Sequence, residues 1–299
     1  MKIRFLGTGT SVGVPQIGCA CPVCTSADQR DRRRRTGVYV STDETAFLID
    51  TPVELREACI EYGISKVDAV VFTHAHMDHV AAFDDVRRFN TLNGEKVPCS
   101  PDEPGTNGRT FRVVGKPMKC YASSETIESM RHIFPYISSK ANPLGLFRPM
   151  IEFVPVAEPF LIGDVRLTPF EVPHGPKTYG YMLECGGVKV GYASDCSGLP
   201  DSAVGMLAGA DLMVLDCLRK REHPTHLSLD RSLDYMNRIG PKRGLLVHMC
   251  HDISHEEYLR ELPENIRPAY DGLEVELTAD PDESPHSGAE AEAGAGRTP

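Results

Sequence analysis

The stretch Val70–Val80, VVFTHAHMDHV, runs an apolar triplet straight into four metal-ligand side chains, His74, His76, Asp78 and His79. Imidazole and carboxylate are ordinary donors for zinc, manganese and iron. On a loop, unlike the helix of a zinc protease, His74 and His76 can face one ion while Asp78 and His79 face another, so the spacing predicts a two-metal centre. The competing reading is a surface cluster of histidines. So many ligands directly behind a buried strand argue against it.

Other apolar runs end on single residues able to complete that site. FEVPH ends on His174, GYASD on Asp195 and RGLLVH on His248. His223 and His226 stand just ahead of a helix predicted over Ser228–Ile239, with Ser228 as its N-cap. Loop histidines there suit a general acid or a phosphate contact, His226 more than His223 because it is nearer the helix start. A second constellation, Cys19, Cys21 and Cys24 in the pattern CxCxxC, supplies three thiolates and leaves a tetrahedral zinc one ligand short. His251, three residues beyond His248, is taken as the fourth. The remaining helical histidines, His132 and His255, read as surface residues.

Strands and turns must hold these groups. KIRFLG alternates as a strand and leads into TGTSVGVPQIGC, whose small residues allow close backbone approach to a ligand or a neighbouring loop. Residues 30–35, RDRRRR, put five arginines into six positions, either a solvated face or a helix end, or else a phosphate-attracting rim beside the site. Thr36–Thr42 and Thr45–Asp50 read as paired strands. Asp50, closing AFLID, could accept the free N–H of a metal-bound histidine or cap a helix over Val53–Tyr62. Ala81–Asn90 reads as a helix with Asp–Arg ion pairs, and Asn93–Pro117 as a polar insertion forming a lid, a hairpin or an oligomer contact. A strand at Met118–Ala122, a helix at Ser123–Phe134 and a loop at Ser138–Pro149 follow. Further strands are predicted at Ile151–Val156, Val165–Val172, Thr178–Cys185, Val188–Ser194 and Asp211–Asp216.

With 299 residues, 41% of them hydrophobic, the chain can build a sizeable core. The formal charge is −10, of which residues 279–299 carry −4. That acidic, alanine- and glycine-rich tail lacks apolar periodicity and is expected to be disordered, leaving one catalytic domain over residues 1–278. An acidic body argues against gripping long nucleic acid but not against a small phosphorylated substrate. The opening MKIRFLGTGT is too short an apolar run for an export signal, and no later run spans a bilayer, so a soluble cytoplasmic protein without membrane attachment is expected. The ten cysteines then read as reduced thiols rather than a disulfide framework.

HAHMDH, the strand-terminal His174, Asp195 and His248, and the opening FLGTGTS together resemble the metallo-beta-lactamase superfamily, in its phosphodiesterase branch with ribonuclease Z. CACPVC, SDCSGLP, HPTHLSL and HMCH resemble more narrowly its PhnP-like subgroup, whose namesake is phosphoribosyl cyclic phosphate phosphodiesterase. The resemblance implies an α/β fold, an αββα sandwich of two mixed sheets flanked by helices. It also implies two divalent ions, manganese or zinc, with His74, His76 and His174 on one, Asp78, His79 and His248 on the other, and Asp195 between them. One structural zinc would sit at Cys19, Cys21, Cys24 and His251. The implied reaction is hydrolysis of a small cyclic phosphate or nucleotide-like phosphodiester by a hydroxide bridging the two ions. Asp78 and His226 are then the expected catalytic residues, with His226 donating a proton to the leaving oxygen and His223 and His226 touching substrate. A homodimer is a further implication. The alternatives are a thioester or lactone hydrolase, an RNA-end-processing nuclease, and a noncatalytic zinc-binding module.

Overall fold

The computed structural model describes residues 1–102, 108–138 and 149–279. In chain order the strands are β1 (Lys2–Gly7), β2 (Gly37–Ser41), β3 (Ala46–Ile49), β4 (Ala69–Val71), β5 (Glu95–Pro98), β6 (Phe111–Val114), β7 (Met118–Ala122) and β8 (Ile151–Pro155). They continue as β9 (Phe160–Ile162), β10 (Val165–Val172), β11 (Thr178–Cys185), β12 (Val188–Ala193), β13 (Leu212–Asp216), β14 (Arg243–Val247), β15 (Ile266–Pro268) and β16 (Glu274–Glu276). One sheet has the order β16-β1-β2-β3-β4-β7-β8 and the other β15-β14-β13-β12-β11-β10-β9. Both are mixed: β3, β4, β7 and β8 run parallel, as do β12, β13, β14 and β15, while the remaining neighbours are antiparallel.

Each sheet is buried on both faces, which is why its central strands read as nearly unbroken apolar runs. Inward residues Phe5, Val40, Phe47 and Val71 meet Leu167, Tyr181, Val190 and Val214 between the sheets. Outward residues Leu48, Val70 and Cys120 pack with Leu55, Ala58, Ile127 and Met130 of the helices Leu55–Glu61 and Ser124–Ile133. Met213, Leu215 and Leu246 do the same on the other side, against the helices Asp201–Leu207, Leu229–Ile239 and His255–Glu261. The expected αββα sandwich is therefore present. No helix among the described residues is long and apolar enough to cross a membrane.

Several local expectations change. The HAHMDH ligands do not all lie on a loop: Met77–Val80 forms a short helix with His76 at its N-cap position. Ala81–Asn90 is split into a 3-10 turn, Phe83–Val86, and a helix, Arg87–Leu92, with Arg87 paired to Asp84 at 2.8 Å. Of the three readings of the insertion, the hairpin is found: β5 and β6 pair only with each other. Strand β9 was not foreseen. Ser228 occupies the predicted N-cap position, but its hydroxyl donates to Glu222 Oε1 at 3.2 Å instead of capping. Most of the loop predicted at Ser138–Pro149, and the tail from Asp280 on, lie outside the described residues.

The glycines of FLGTGTS approach a neighbouring loop. A Cβ on Gly7 would lie 2.0 Å from Arg35 O, and one on Gly9 would lie 2.7 Å from Arg33 O. The arginine run starts at the end of a short 3-10 helix, Gln29–Asp31, with Arg32 exposed and the other four arginines paired. Arg30 pairs with Asp28 and Glu256, Arg34 with Glu61 and Arg35 with Glu54, while Arg33 is buried.

Candidate metal centre

The candidate ligands gather where the parallel strands end. Asp50 follows β3, His74 follows β4, Asp195 follows β12, Asp216 closes β13 and His248 follows β14. His174 follows β10, which runs in the same direction as β12 because two antiparallel steps separate them. Side chains leaving the carboxyl ends of parallel strands converge on one edge, the usual place for a ligand in an open α/β sheet.

Two ligand sets meet there, His74 with His76 and His174, and Asp78 with His79, Asp195 and His248; within each set the donor atoms lie within 4.8 Å of one another. In the first, His76 Nδ1 is 3.0 Å from His74 Nε2 and 3.2 Å from His174 Nε2. Hydrogen bonding fixes which nitrogens are bare. His174 Nδ1–H donates to Thr225 O at 2.9 Å. The Thr73 hydroxyl donates to Asp50 Oδ2 at 2.8 Å, so at 3.0 Å it accepts from His74 Nδ1–H. Both Nε2 atoms are then lone pairs aimed at the same small space, repulsive without a cation. In the second set, His79 Nδ1–H donates to Asp50 Oδ2 at 2.7 Å. Its Nε2 faces Asp78 Oδ2 and Asp195 Oδ2, each at 3.2 Å, and Asp195 Oδ1 is 3.3 Å from His248 Nε2. His79 Nε2 and Asp195 Oδ2 are buried without a hydrogen bond. Such atoms are costly unless something satisfies them, and a divalent cation fits this donor set.

Asp50 settles between its two predicted roles. It supports ligands of both sets, through His79 directly and through Thr73 to His74. It does not cap the following helix, whose N-cap position is Glu54. Among the described residues only Asp50 (φ 65°) and His248 (φ 59°) are non-glycine residues with left-handed backbone. Both sit at strand ends of the site, where such strain is commonly found.

Burial and neighbouring charge separate the protonation of these groups. Burial holds His74 well below the usual histidine range and lowers His248 to about 4. Burial opposes charge on Asp195 as well, but His248 and His79 outweigh it and keep the carboxyl well below its ordinary range. Burial likewise opposes charge on His79, and Asp195 and Asp50 reverse that and raise it.

His226 lies astride both sets, its ring 4.8 Å from His174 and stacked 4.7 Å from His248. Its Nδ1–H donates to Asp216 Oδ2 at 2.7 Å. Asp216 was not foreseen as a functional residue, although LMVLD carries the same strand-end carboxylate signal as AFLID. Burial pushes Asp216 up to about 7, and on His226 the bond to Asp216 outweighs burial and raises the imidazole. His223 is half-buried with its ring 5.2 Å from that of His226.

The cysteine cluster lies apart. Cys19, Cys21 and Cys24 place their sulfurs 3.3, 3.5 and 3.3 Å from His251 Nδ1. A tetrahedral zinc with bonds of about 2.3 Å to sulfur and 2.0 Å to nitrogen has sulfur–nitrogen edges of about 3.5 Å, so the four residues fit it. All ten cysteines are free thiols. Of the two histidines expected at the surface, His132 is exposed and His255 is buried, its backbone N–H donating to Asp31 Oδ1 at 2.7 Å.

A family model described as a beta-lactamase superfamily domain matches residues 45–249. The chain belongs to the metallo-beta-lactamase superfamily. A crystal structure described as a new diphosphatase from the PhnP family aligns with a TM-score of 0.77 at 35% identity, covering 93% of this chain and 98% of that one. An octanoyltransferase of Porphyromonas gingivalis is 31% identical over 283 residues, covering 92% of this chain but only 51% of that protein, so this chain spans about half of its length. Coenzyme PQQ synthesis protein B of Methylorubrum extorquens is 27% identical over 234 residues, 72% of each protein. Membership of the superfamily supports metal-dependent hydrolysis and a divalent-metal role for the His/Asp cluster.

Proposed function

We propose that this superfamily member is a phosphodiesterase acting on a small cyclic phosphate or nucleotide-like phosphodiester. His74, His76 and His174 would hold one divalent ion, manganese or zinc, and Asp78, His79 and His248 the other, with Asp195 between them. Two such ions supply a nucleophilic water near neutral pH and neutralise phosphate oxygens. The observation that carries the reading is His226, held by Asp216 through Nδ1 while its ring overlies ligands of both sets. A histidine anchored on one nitrogen has the other free to protonate a departing oxygen, as an alkoxide leaving group requires. Asp216 keeps the proton available by favouring the charged imidazole. His223, beside His226, offers a second contact to the substrate phosphate. The likeness to a PhnP-family diphosphatase at 35% identity supports phosphate chemistry. A structural zinc at Cys19, Cys21, Cys24 and His251, a cytoplasmic location and a homodimer complete the reading.

The octanoyltransferase relative favours a second reading, an acyl or thioester hydrolase, although this chain spans 51% of that protein. The acidic body weighs against RNA-end processing. Metal content per chain, with hydrolysis of bis(p-nitrophenyl) phosphate, a cyclic ribose phosphate and an octanoyl thioester before and after chelation, tests both. About three ions per chain and chelator-sensitive phosphodiester cleavage support the proposal. Thioester cleavage alone would replace it with the second reading, and one tightly held ion with no cleavage after reloading would sink both.

A further inference from the structure

The segment His248–Ile253 carries a candidate ligand for each cluster, His248 for the His/Asp centre and His251 for the cysteine site. It must hold His248 in a left-handed backbone at φ 59°, a conformation that a residue with a Cβ adopts only at a steric cost. Backbone contacts restrain it from two sides. Met249 N–H donates to Thr8 O at 3.0 Å, and Cys250 N–H donates to Leu218 O at 2.9 Å.

A further restraint is Arg33. Its side chain is fully buried, with Nη1 donating to Cys250 O at 2.5 Å and Nη2 to Ile253 O at 3.1 Å, on either side of His251. Its charge is met by Asp31 Oδ1 at 3.4 Å, which also accepts His255 N–H at 2.7 Å. Its backbone exchanges two hydrogen bonds of 2.8 Å with Val14, at the head of the loop that brings Cys19, Cys21 and Cys24. Taking a guanidinium out of water is expensive unless its donors are used; here Nε is left without a partner, while Nη1 and Nη2 are spent on the carbonyls flanking a candidate ligand. One residue thus ties the cysteine loop to the segment bearing His248 and His251.

We propose that Arg33 is a positioning residue that couples the two metal clusters, holding His248–Ile253 so that metal affinity at the cysteine site and at the Asp78/His79/His248 position rise and fall together. The inference rests on reading both clusters as metal sites. Coupling of this kind is reciprocal, so weakening either cluster weakens the other. The ion at His74, His76 and His174, whose ligands leave other strands, stays outside it.

The test is ion-by-ion affinity on the metal-loaded protein, by competition with a chromophoric chelator, alongside the melting temperature. Arg33→Met should bind the cysteine-site zinc and one of the two centre ions about 10–100-fold more weakly, the range for losing a residue that orients ligands, and leave the third ion unchanged. Arg33→Lys should recover part of that loss. Arg34→Ala, which removes the pairing with Glu61 and touches neither carbonyl, should leave all three ions at wild-type affinity. Should Arg33→Met fail to fold, Cys24→Ser carries the test: coupling requires that it too weaken one centre ion. Loss of the cysteine-site zinc alone, or equal weakening of all three ions, would overturn the coupling. A wild-type chain holding ions at only one cluster would overturn the metal reading and the coupling with it.

Discussion

The two ligand sets meet at His74 and His79, whose ring centres are 4.3 Å apart, yet they are built differently. His74, His76 and His174 offer imidazoles alone, with His76 exposed and burial holding His74 and His174 below the usual range. Asp78, His79, Asp195 and His248 are all buried and include two carboxylates kept charged by neighbouring histidines, against the opposing effect of burial. A dication in the second set would meet the charges of Asp78 and Asp195 in a poorly solvated space, whereas one in the first would meet three imidazoles and only the shared Asp195. The second set is therefore expected to be the tighter site, and the first, open at His76, the one that exchanges.

Asp195→Asn gives the largest expected effect. It removes one of the two charges and should empty the carboxylate-bearing set first. The loss of several kcal/mol of transition-state stabilisation corresponds to roughly a 10³-fold fall in phosphodiester turnover. Stepwise metal titration checks the order of loss, and earlier release from the all-imidazole set would reverse the comparison. His226→Ala comes next, because His226 overlies both sets without belonging to the metal ligands of either. Turnover of a substrate with an alkoxide leaving group should fall about 10²–10⁴-fold, while a nitrophenyl ester, whose leaving group needs no proton, should be nearly unaffected. Equal losses on both would remove the donor role.

Smaller and more selective effects come from the groups behind the ligands. Asp50→Asn disturbs His79 directly and His74 through Thr73, and should weaken both ions by about 10–100-fold. Thr73→Val keeps the Asp50–His79 bond and should weaken only the ion at the imidazole set, by about tenfold. Competition with a graded series of chelators separates the two ions, and a loss in the other set after Thr73→Val would break the distinction.

The strands and the candidate ligands were legible in the sequence because both rest on local patterns, and the sandwich because HAHMDH and FLGTGTS resemble a known family. Apolar runs ending in His or Asp mark strands that deliver ligands, and β7, β10 and β11 have the predicted limits. What was hidden depends on distant pairing. Arg33 looks like its neighbours in RDRRRR, and only the carbonyls of Cys250 and Ile253, over 200 positions away, make it a core residue. His255 was misjudged for the same reason, since its partner is Asp31. Asp216 was different: its signal was present in LMVLD, but nothing local says that His226 folds back onto it.

Asp271 provides a control for the charge argument. It is half-buried, less enclosed than Asp195, and accepts hydrogen bonds from the Thr8 hydroxyl at 2.8 Å and from Arg34 N–H at 2.7 Å, but no histidine faces it. Burial pushes it up to about 7. An unfolded aspartate ionises near pH 4, so between about pH 4 and 7 the native state keeps a proton that the unfolded state has lost. Stability contributed by this group is thus present at the acid end and lost as pH rises through 7. Asp271→Asn can accept from Arg34 and donate to Thr8 as the protonated acid does, without titrating. The wild-type melting temperature should therefore fall relative to the variant's between pH 5 and 8, by on the order of 2 °C per kcal/mol in a chain of this size. Calorimetry on both proteins across that window checks it. Parallel curves would mean that two hydrogen bonds are enough to keep a desolvated carboxylate charged, and the imidazoles of His79 and His248 would then no longer be needed to explain why Asp195 is.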